Sequence, residues 1–297
     1  MPEGRVGLAV SGGADSLALL VLAQRAIPGR IEVATVDHGL RAGAAAECAM
    51  VQALCTRCAV TCRTLTVMPA PGNVQDQARQ ARYAALGAWA AERGLAAIAT
   101  AHHADDQAET LLMRLARGSG PRGLAGIRAT SRVAGCAVPV VRPLLGFRRA
   151  ELAELVAAAG LTPASDPSNQ DDRFERVRVR RWLQGQDWLD PAALARSAHL
   201  MGEAEDALRA IADAAWLDTA QPHEDGVIVA ASPLREINLR LLERGLGELG
   251  SAAVRSDLAV LLDRLEEPPG RANLAGVLVS LAGGRFIFRR EPPRRGT

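Results

Sequence analysis

Six consecutive residues, Ser11-Gly12-Gly13-Ala14-Asp15-Ser16, carry the chemistry most easily read from this chain. One apolar run, Arg5-Val6-Gly7-Leu8-Ala9-Val10, precedes them, and another, Leu17 to Leu22, follows. A short buried strand, a glycine-rich turn and a helix start form the layout that holds a nucleotide phosphate. Glycine lets the backbone approach the anion, and the helix start offers free N–H groups and the positive end of its dipole. Ser11 and Ser16 can donate to phosphate. Asp15, at the mouth of the turn, suits Mg²⁺, because hard cations take carboxylate oxygen. It can also cap the helix.

A denser segment follows at Thr100-Ala101-His102-His103-Ala104-Asp105-Asp106-Gln107-Ala108-Glu109-Thr110. On a helix, His102, Asp106 and Glu109 fall at i, i+4 and i+7, on one face. Ionisable groups this crowded are costly to bury without a task, and the adjacent Leu111-Leu112-Met113 says that the helix packs. The H-E-x-x-H pattern and its inverse are absent, so no dedicated zinc site is expected. Arg114, Arg117-Gly118-Ser119-Gly120 and Arg122 then join arginine to a glycine-rich turn, which fits charge stabilisation of a phosphoryl group. Upstream, Arg79, Arg82 and Tyr83 share one helical side, either as part of the same site or as a salt-bridged surface. Asp37-His38, closing a second apolar run, read as a strand-ending turn or as a wall of an adenine or ribose pocket. Asp166-Pro167-Ser168-Asn169 makes a turn. The arginines after it, Arg176, Arg178, Arg180 and Arg181, could follow an RNA backbone or simply solvate a helix.

The elements that must position these groups are legible as alternation. Strand patterns at 5–10, 31–37, 61–67 and 96–101 alternate with helix patterns at 16–26, 43–59, 74–93 and 105–118. This spacing predicts right-handed crossovers and a Rossmann-like parallel sheet with helices on both faces. The polar clusters all follow strands, and in such sheets ligands collect at the carboxyl ends of strands. Residues 119–147 read as irregular. Helices are predicted at 148–159, from 173 and over 191–216. A smaller C-terminal helical/α+β part follows, with a strand at 226–230, helices near 233–248 and 254–265, and strands near 274–281 and 285–289. The expected domains are residues 1–185, which bind nucleotide, and 186–297, a helical linker with a small C-terminal domain.

Composition narrows the chemistry. The chain contains no lysine. A Walker-type loop, a protein-kinase lysine and a Schiff-base lysine are therefore excluded, and phosphate binding falls to backbone, serine, arginine and metal. A net charge of +2 does not announce a nucleic-acid binder, though local arginine patches could serve one. No apolar run approaches the ~18 residues of a membrane span, and Met1-Pro2-Glu3-Gly4 leads straight into the first strand, so a cytoplasmic location with no membrane partner is expected. Five cysteines, an odd number, argue against a disulfide framework. Cys55 and Cys58, with Cys62 nearby, could ligate a metal or cluster. Alternatively, Cys48 and Cys55, seven apart, share the buried face of a helix.

These motifs resemble a known family. SGGADS looks like the PP-loop of the N-type ATP pyrophosphatases. VDHGLR, ARQARY, TAHHADDQAET, RLARGSGPRGL, RPLL and DPSNQDDRF then occur in the order seen in the tRNA(Ile)-lysidine synthetase family. One departure is Val177, where the family pattern carries Asn. The resemblance implies that ATP, with Mg²⁺ near Asp15, adenylates the wobble cytidine of an isoleucine tRNA with a CAU anticodon. Free lysine then attacks carbon 2 and expels AMP. It implies Ser11 to Ser16 with Asp37 and His38 for nucleotide binding, and Arg82 and Arg117 for charge at the α-phosphate. Asp106 and Glu109 are implied for the lysine ammonium, and His102 for proton transfer. That ammonium must lose a proton, at a cost of roughly 4.6 kcal/mol at pH 7. A PP-loop tRNA thiolase using Cys55 and Cys58, and a non-catalytic ATP-binding regulator, are the competing expectations. A homodimer is compatible with the sequence.

Overall fold

The structure, a computed structural model of the chain, describes residues 3–37, 39, 43–67, 74–164 and 171–291. His38 and the turn at 166–170 lie outside these residues. The described chain divides into two compact units at Gly202/Glu203.

In the first unit, β1 (Val6–Ala9), α1 (Ala14–Ala26), β2 (Ile31–Asp37), α2 (Ala44–Arg57), β3 (Cys62–Thr66), α3 (Val74–Arg93), β4 (Ala97–Ala99) and α4 (Ala104–Leu115) succeed one another as the alternation predicts. A short helix, α5 (Pro121–Leu124), two short strands, β5 (Thr130–Ser131) and β6 (Val140–Val141), and helices α6 (Arg149–Ala158) and α7 (Glu175–Gln184) follow. The six-stranded sheet has the order β3-β2-β1-β4-β6-β5 and is parallel except at β5, which pairs antiparallel to β6. Alternation along the strands explains the layers. Val6, Leu8, Ile31, Val33, Ala97 and Ala99 pack with Leu17, Leu20, Val51, Leu152 and Val156 of α1, α2 and α6. Ala34, Ile98 and Val140 point the other way, to Tyr83, Leu86, Trp89 and Ala90 of α3. Gly7 faces α3 too, and a Cβ there would lie 2.5 Å from the Trp89 ring. Glycine is therefore what lets α3 close on β1.

β1 lies between β2 and β4, so the chain turns left after β1–β2–β3 and right at β4. The carboxyl ends of three adjacent parallel strands thus bring Ser11, Asp37 and the His102–His103 pair to one sheet edge.

The second unit contains the C-terminal part of α8 (Pro191–Thr219). It continues through β7 (Gln221–His223), β8 (Gly226–Ala230), α9 (Arg235–Glu248), α10 (Arg255–Glu266), β9 (Arg271–Leu274), β10 (Val277–Ala282) and β11 (Arg285–Arg290). Its antiparallel sheet, ordered β7-β8-β11-β10-β9, buries Val229, Val277, Val279, Phe286 and Phe288 against Leu241, Leu242 and Leu246 of α9 and Leu258 and Leu262 of α10. The sequence pattern reads one strand over 274–281. The structure has a hairpin there instead, turning at Ala275 and Gly276, both at positive φ. Strands β5, β6 and β7 and helix α5 were also not expected; each is four residues or shorter.

Candidate active site

The loop after β1 is built to leave an anion space. Gly12 adopts φ +91°, and a Cβ there would meet the Met50 methyl at 2.8 Å, so only glycine fits. At Gly13 the nearest atom to an added Cβ is Ser11 Oγ at 3.8 Å, which leaves room above the loop. Ser16 Oγ donates to Gly13 O at 2.9 Å and accepts from Ser11 N at 3.2 Å, locking the turn against the first turn of α1. No side chain caps that helix end, so its N–H groups and dipole remain available to a phosphate.

Across from the loop stands the start of α4. Its N-cap is His103: His103 N donates to Asp106 Oδ2 at 3.0 Å, and Asp106 N donates weakly to His103 Nδ1 at 3.4 Å. The other ring nitrogen, Nε2, lies 3.5 Å from Asp15 Oδ2. Burial alone would lower the His103 pKa; Asp15, Asp106 and Asp105 outweigh it and hold the imidazole above its ordinary value. Burial likewise works to raise the Asp15 pKa, and His103, Arg149 and Arg180 outweigh it, keeping the carboxyl below its usual range. Asp15 Oδ1 is buried and finds no hydrogen-bond partner among the described residues.

The rest of the acidic segment ties four elements together. Asp105 accepts from Arg149 N at 2.8 Å and from the Arg148 guanidinium at 3.3 Å, anchoring α6. Gln107 clamps Ile127 through both amide atoms, at 2.8 and 2.6 Å. Glu109, 1% exposed, accepts from Arg176 Nε at 2.6 Å and Arg180 Nε at 2.5 Å on α7. Arg176 Nη2 also reaches Asp106 Oδ1 at 3.1 Å. A cavity of about 220 Å³ opens beside this network, lined on its polar side by Asp105, Glu109, Arg148, Arg149 and Arg180.

A loop that leaves room for phosphate and a helix end facing it through Asp15 and His103 form one site, and Arg149 and Arg180, whose charge reaches Asp15, also line the cavity of both charge signs. A model of the PP-loop domain matches residues 1–186. The tRNA(Ile)-lysidine synthase of Novosphingobium aromaticivorans is 50% identical, with 99% of this chain and 91% of that protein covered. Its namesakes from Zymomonas mobilis and Methylobacterium sp. are 39% and 42% identical, with 90% and 91% of their lengths covered. The chain belongs to the tRNA(Ile)-lysidine synthase family. Among solved structures, the U34-tRNA thiolase NcsA from Methanococcus maripaludis shares the fold, with a TM-score of 0.56 over 70% of this chain and 73% of that one, at 16% identity.

Within this lysidine synthase fold the expected residues separate. Ser11 to Ser16, Asp106 and Glu109 gather at one edge. His102 does not join them on a helical face, because α4 begins only at Ala104. Its Nδ1 pairs with Thr100 Oγ1 at 2.9 Å, and burial, with the charges of Arg142, Arg176 and Arg79, lowers its pKa to about 4 against a partial opposing pull from Asp106. His103, not His102, is the histidine that faces the loop. Arg117 is exposed and paired with Glu175. Arg114 is committed to the carbonyls of Gly123 and Gly126, at 2.7 and 2.9 Å, so its role is to hold a loop. Arg82 and Arg79 lie over the Tyr83 ring, at 5.5 and 5.0 Å, as their shared helical side implied. The arginines whose charge reaches Asp15 are Arg149 and Arg180. Arg176 and Arg180, which the sequence leaves between following an RNA backbone and solvating a helix, turn inward to Glu109. Their i, i+4 spacing, continued by buried Leu183, was the available signal. Asp37 Oδ1 accepts from Gly39 N at 2.9 Å, an Asx turn at the end of β2.

Cys48 and Cys55 are buried on α2, as their spacing implied, and all five cysteines are free. Contact with Cys62, burial and the neighbouring sulfurs push the Cys55 thiol above its ordinary range, and the same contact moves Cys62 down. Among the described residues no group of three His, Cys, Asp or Glu side chains could hold a metal, and no helix is long and apolar enough to cross a membrane.

Proposed function

We propose that this chain joins free lysine to carbon 2 of the wobble cytidine of an isoleucine tRNA with a CAU anticodon, using ATP and releasing pyrophosphate and then AMP. The observation that carries the reading is the pairing of an open PP-loop with a cavity lined by both charge signs. Free lysine is a zwitterion with an extra ammonium. Arg148, Arg149 and Arg180 complement its carboxylate, and Asp105 and Glu109, with Asp106 behind them, complement its amines.

The loop N–H groups, Ser11 and Ser16 hold the pyrophosphate as it leaves, and the positive end of α1 stabilises the charge that develops on it. Arg149 and Arg180 add positive charge near Asp15. Mg²⁺ suits the partnerless Asp15 Oδ1, since Mg²⁺ takes one or two carboxylates and completes its shell with phosphate oxygen and water. When bound, it neutralises charge on the phosphates. His103 fixes Asp15 in place. Asp106 and Glu109 accept the lysine ammonium, exclusion of water in the cavity lowers the cost of its deprotonation, and the Asp106 carboxylate takes the proton that the amine gives up. The catalytic domain spans residues 1–185, and the C-terminal unit contacts the body of the tRNA.

Sustained pyrophosphate release, and any release of AMP, should require both the CAU tRNA and lysine, whereas the tRNA alone supports at most one equivalent of pyrophosphate per site. Asp106→Asn should abolish lysine-dependent turnover while nucleotide binding, read by equilibrium dialysis, stays largely intact. Equal loss of both would overturn the assignment of Asp106. Multiple turnovers without lysine by the unaltered chain would favour a different acceptor.

A further inference from the structure

We propose that Arg79, Arg82, Arg142 and the Tyr83 hydroxyl bind one phosphodiester group of the tRNA, that of the nucleotide whose base reacts, an inference that rests on the function proposed above. Three guanidiniums gather around one ring. Arg79 and Arg82 of α3 lie over Tyr83 at 5.0 and 5.5 Å. Arg142, which follows β6, faces the Tyr83 hydroxyl together with Arg82. Among the described residues none of the three pairs with a carboxylate; Arg142 donates to Arg128 O at 2.7 Å and Ser131 Oγ at 3.0 Å. Burial lowers the pKa of Arg82 and of Arg142, and the charge of Arg79 adds to it, against an opposing pull from Tyr83. Other arginines near the site answer acids: Arg176 and Arg180 hold Glu109, and Arg148 holds Asp105. Two polar atoms in the cluster, Tyr83 Oη and Arg142 Nε, are buried without a hydrogen-bond partner, in side chains only 1% and 6% exposed. Buried donors left unpaired are costly. An entering phosphate oxygen accepts from both, and its charge offsets the three guanidiniums.

Placement selects the RNA phosphodiester over the phosphates of ATP. Tyr83 belongs to the core on the α3 face of the sheet, whereas the PP-loop leads into α1 on the opposite face. The two histidines after β4 divide between these sides. His103 meets Asp15, while His102 feels the charges of Arg142 and Arg79. Asp106, whose charge also reaches His102, is already bonded to His103 N and Arg176. The arginines whose charge reaches Asp15 are Arg149 and Arg180, not these three. A triphosphate on the loop therefore leaves the cluster open. The reacting nucleotide joins both places: its base must reach the loop, and its ribose carries a phosphate on the side away from the base. A phosphate held there fixes the register of the strand without reading its sequence.

The test uses the full chain and a CAU anticodon stem-loop RNA, with affinity read by filter binding in the absence of ATP and lysine. Tyr83→Phe keeps the ring beneath the guanidiniums and removes only the unpaired hydroxyl. It should weaken RNA binding about tenfold while the thermal midpoint holds or rises. Arg82→Gln should weaken binding about tenfold and flatten the slope of log affinity against log salt by about 0.7. A stem-loop whose phosphodiester 5′ of the wobble cytidine is replaced by a neutral methylphosphonate should bind the unaltered protein about tenfold more weakly, and Arg82→Gln should cost that RNA nothing further. ATP binding, read by equilibrium dialysis, should stay the same in both variants. A loss of ATP affinity equal to the loss for RNA would overturn the proposal and give the cluster to the nucleotide. Unchanged RNA affinity and salt slope would overturn it too, leaving ring stacking as the whole role of the arginines. So would a methylphosphonate effect that simply adds to that of Arg82→Gln. RNA binding is read without turnover. A chain that binds RNA through this cluster and makes no lysidine would sink the proposed function and leave the phosphate site standing; lysidine formation with RNA binding untouched in both variants would do the reverse.

Discussion

Each unit contains a buried glutamate gripped by arginine, and the two differ in what lies beside them. In the C-terminal unit Arg240 meets Glu205 through two bonds, at 2.7 and 3.0 Å, with side chains 6% and 4% exposed, and Glu236 adds a third at 2.9 Å. The bonds to Glu205 raise the Arg240 pKa against the opposing effect of burial. In the N-terminal unit Glu109 is as deeply buried, but its partners are not: Arg176 is 39% and Arg180 21% exposed, and a cavity opens beside them. The same chemical pair closes a core when both ends are dry. Where one end faces a cavity, the guanidinium can trade part of its bonding to an incoming group, which is the role proposed for Arg180.

The largest expected effect lies in the sealed pair. Glu205→Ala leaves the buried Arg240 with Glu236 as its remaining carboxylate and should destabilise the C-terminal unit by up to about 3–5 kcal/mol, whereas Glu205→Leu with Arg240→Met should recover most of that loss. Urea unfolding followed at Trp216, with the other three tryptophans replaced by Phe, would measure it; equal losses in the single and double variants would erase the contrast drawn above. The equivalent double change at the site, Glu109→Leu with Arg180→Met, should leave the fold standing yet cut lysine-dependent turnover by about a hundredfold or more, equivalent to ~2.7 kcal/mol. Near-normal turnover would mean that this pair, too, is only architectural.

The smallest effect is a pH dependence confined to the N-terminal unit. The folded-state pKa of His102 is depressed to about 4, so the unfolded chain binds more protons there between about pH 6.5 and 4. Stability should fall as pH drops through that window, by up to about 3 kcal/mol in total. His103 works in the opposite sense. Its pKa is raised, so its contribution is complete below about 6.5 and is lost as pH rises through its folded value. Asp15 and Asp105 are held low, and their contributions fade only below the His102 window. Hydrogen exchange of peptides from residues 97–115 across pH 4 to 7 should show the slope, and His102→Asn should flatten it. A slope untouched by that change would mean that another group carries it.

Sequence exposes some of this arrangement and hides the rest for physical reasons. Strands β1 and β4 announce themselves because each is a continuous apolar run ending in polar residues, as buried parallel strands must be, whereas edge strand β3 alternates polar and apolar residues. Strands β5 and β6 span two residues each inside a Gly/Pro-rich stretch, too short to show any period. The hairpin between β9 and β10 turns at Ala275 and Gly276, and only the glycine of that pair carries a turn signature. At the site, Asp15 and Ser16 follow from the glycine turn, and the spacing of Asp106 and Glu109 places both on one helix face. Which of His102 and His103 faces the loop depends on where α4 begins, and periodicity does not fix a helix terminus to one residue. The partners of Glu109 lie 67 and 71 residues away in the chain. No local pattern could have joined them, although the spacing of Arg176 and Arg180 showed that they share a face.

The cavity's cations are all guanidiniums, as the absence of lysine from the chain requires. A guanidinium keeps its proton at any physiological pH and has no free lone pair with which to attack an electrophile. An activated nucleobase held against such a wall meets no side-chain amine from the protein itself. On the function proposed above, the substrate amine competes with no lysine side chain of the protein.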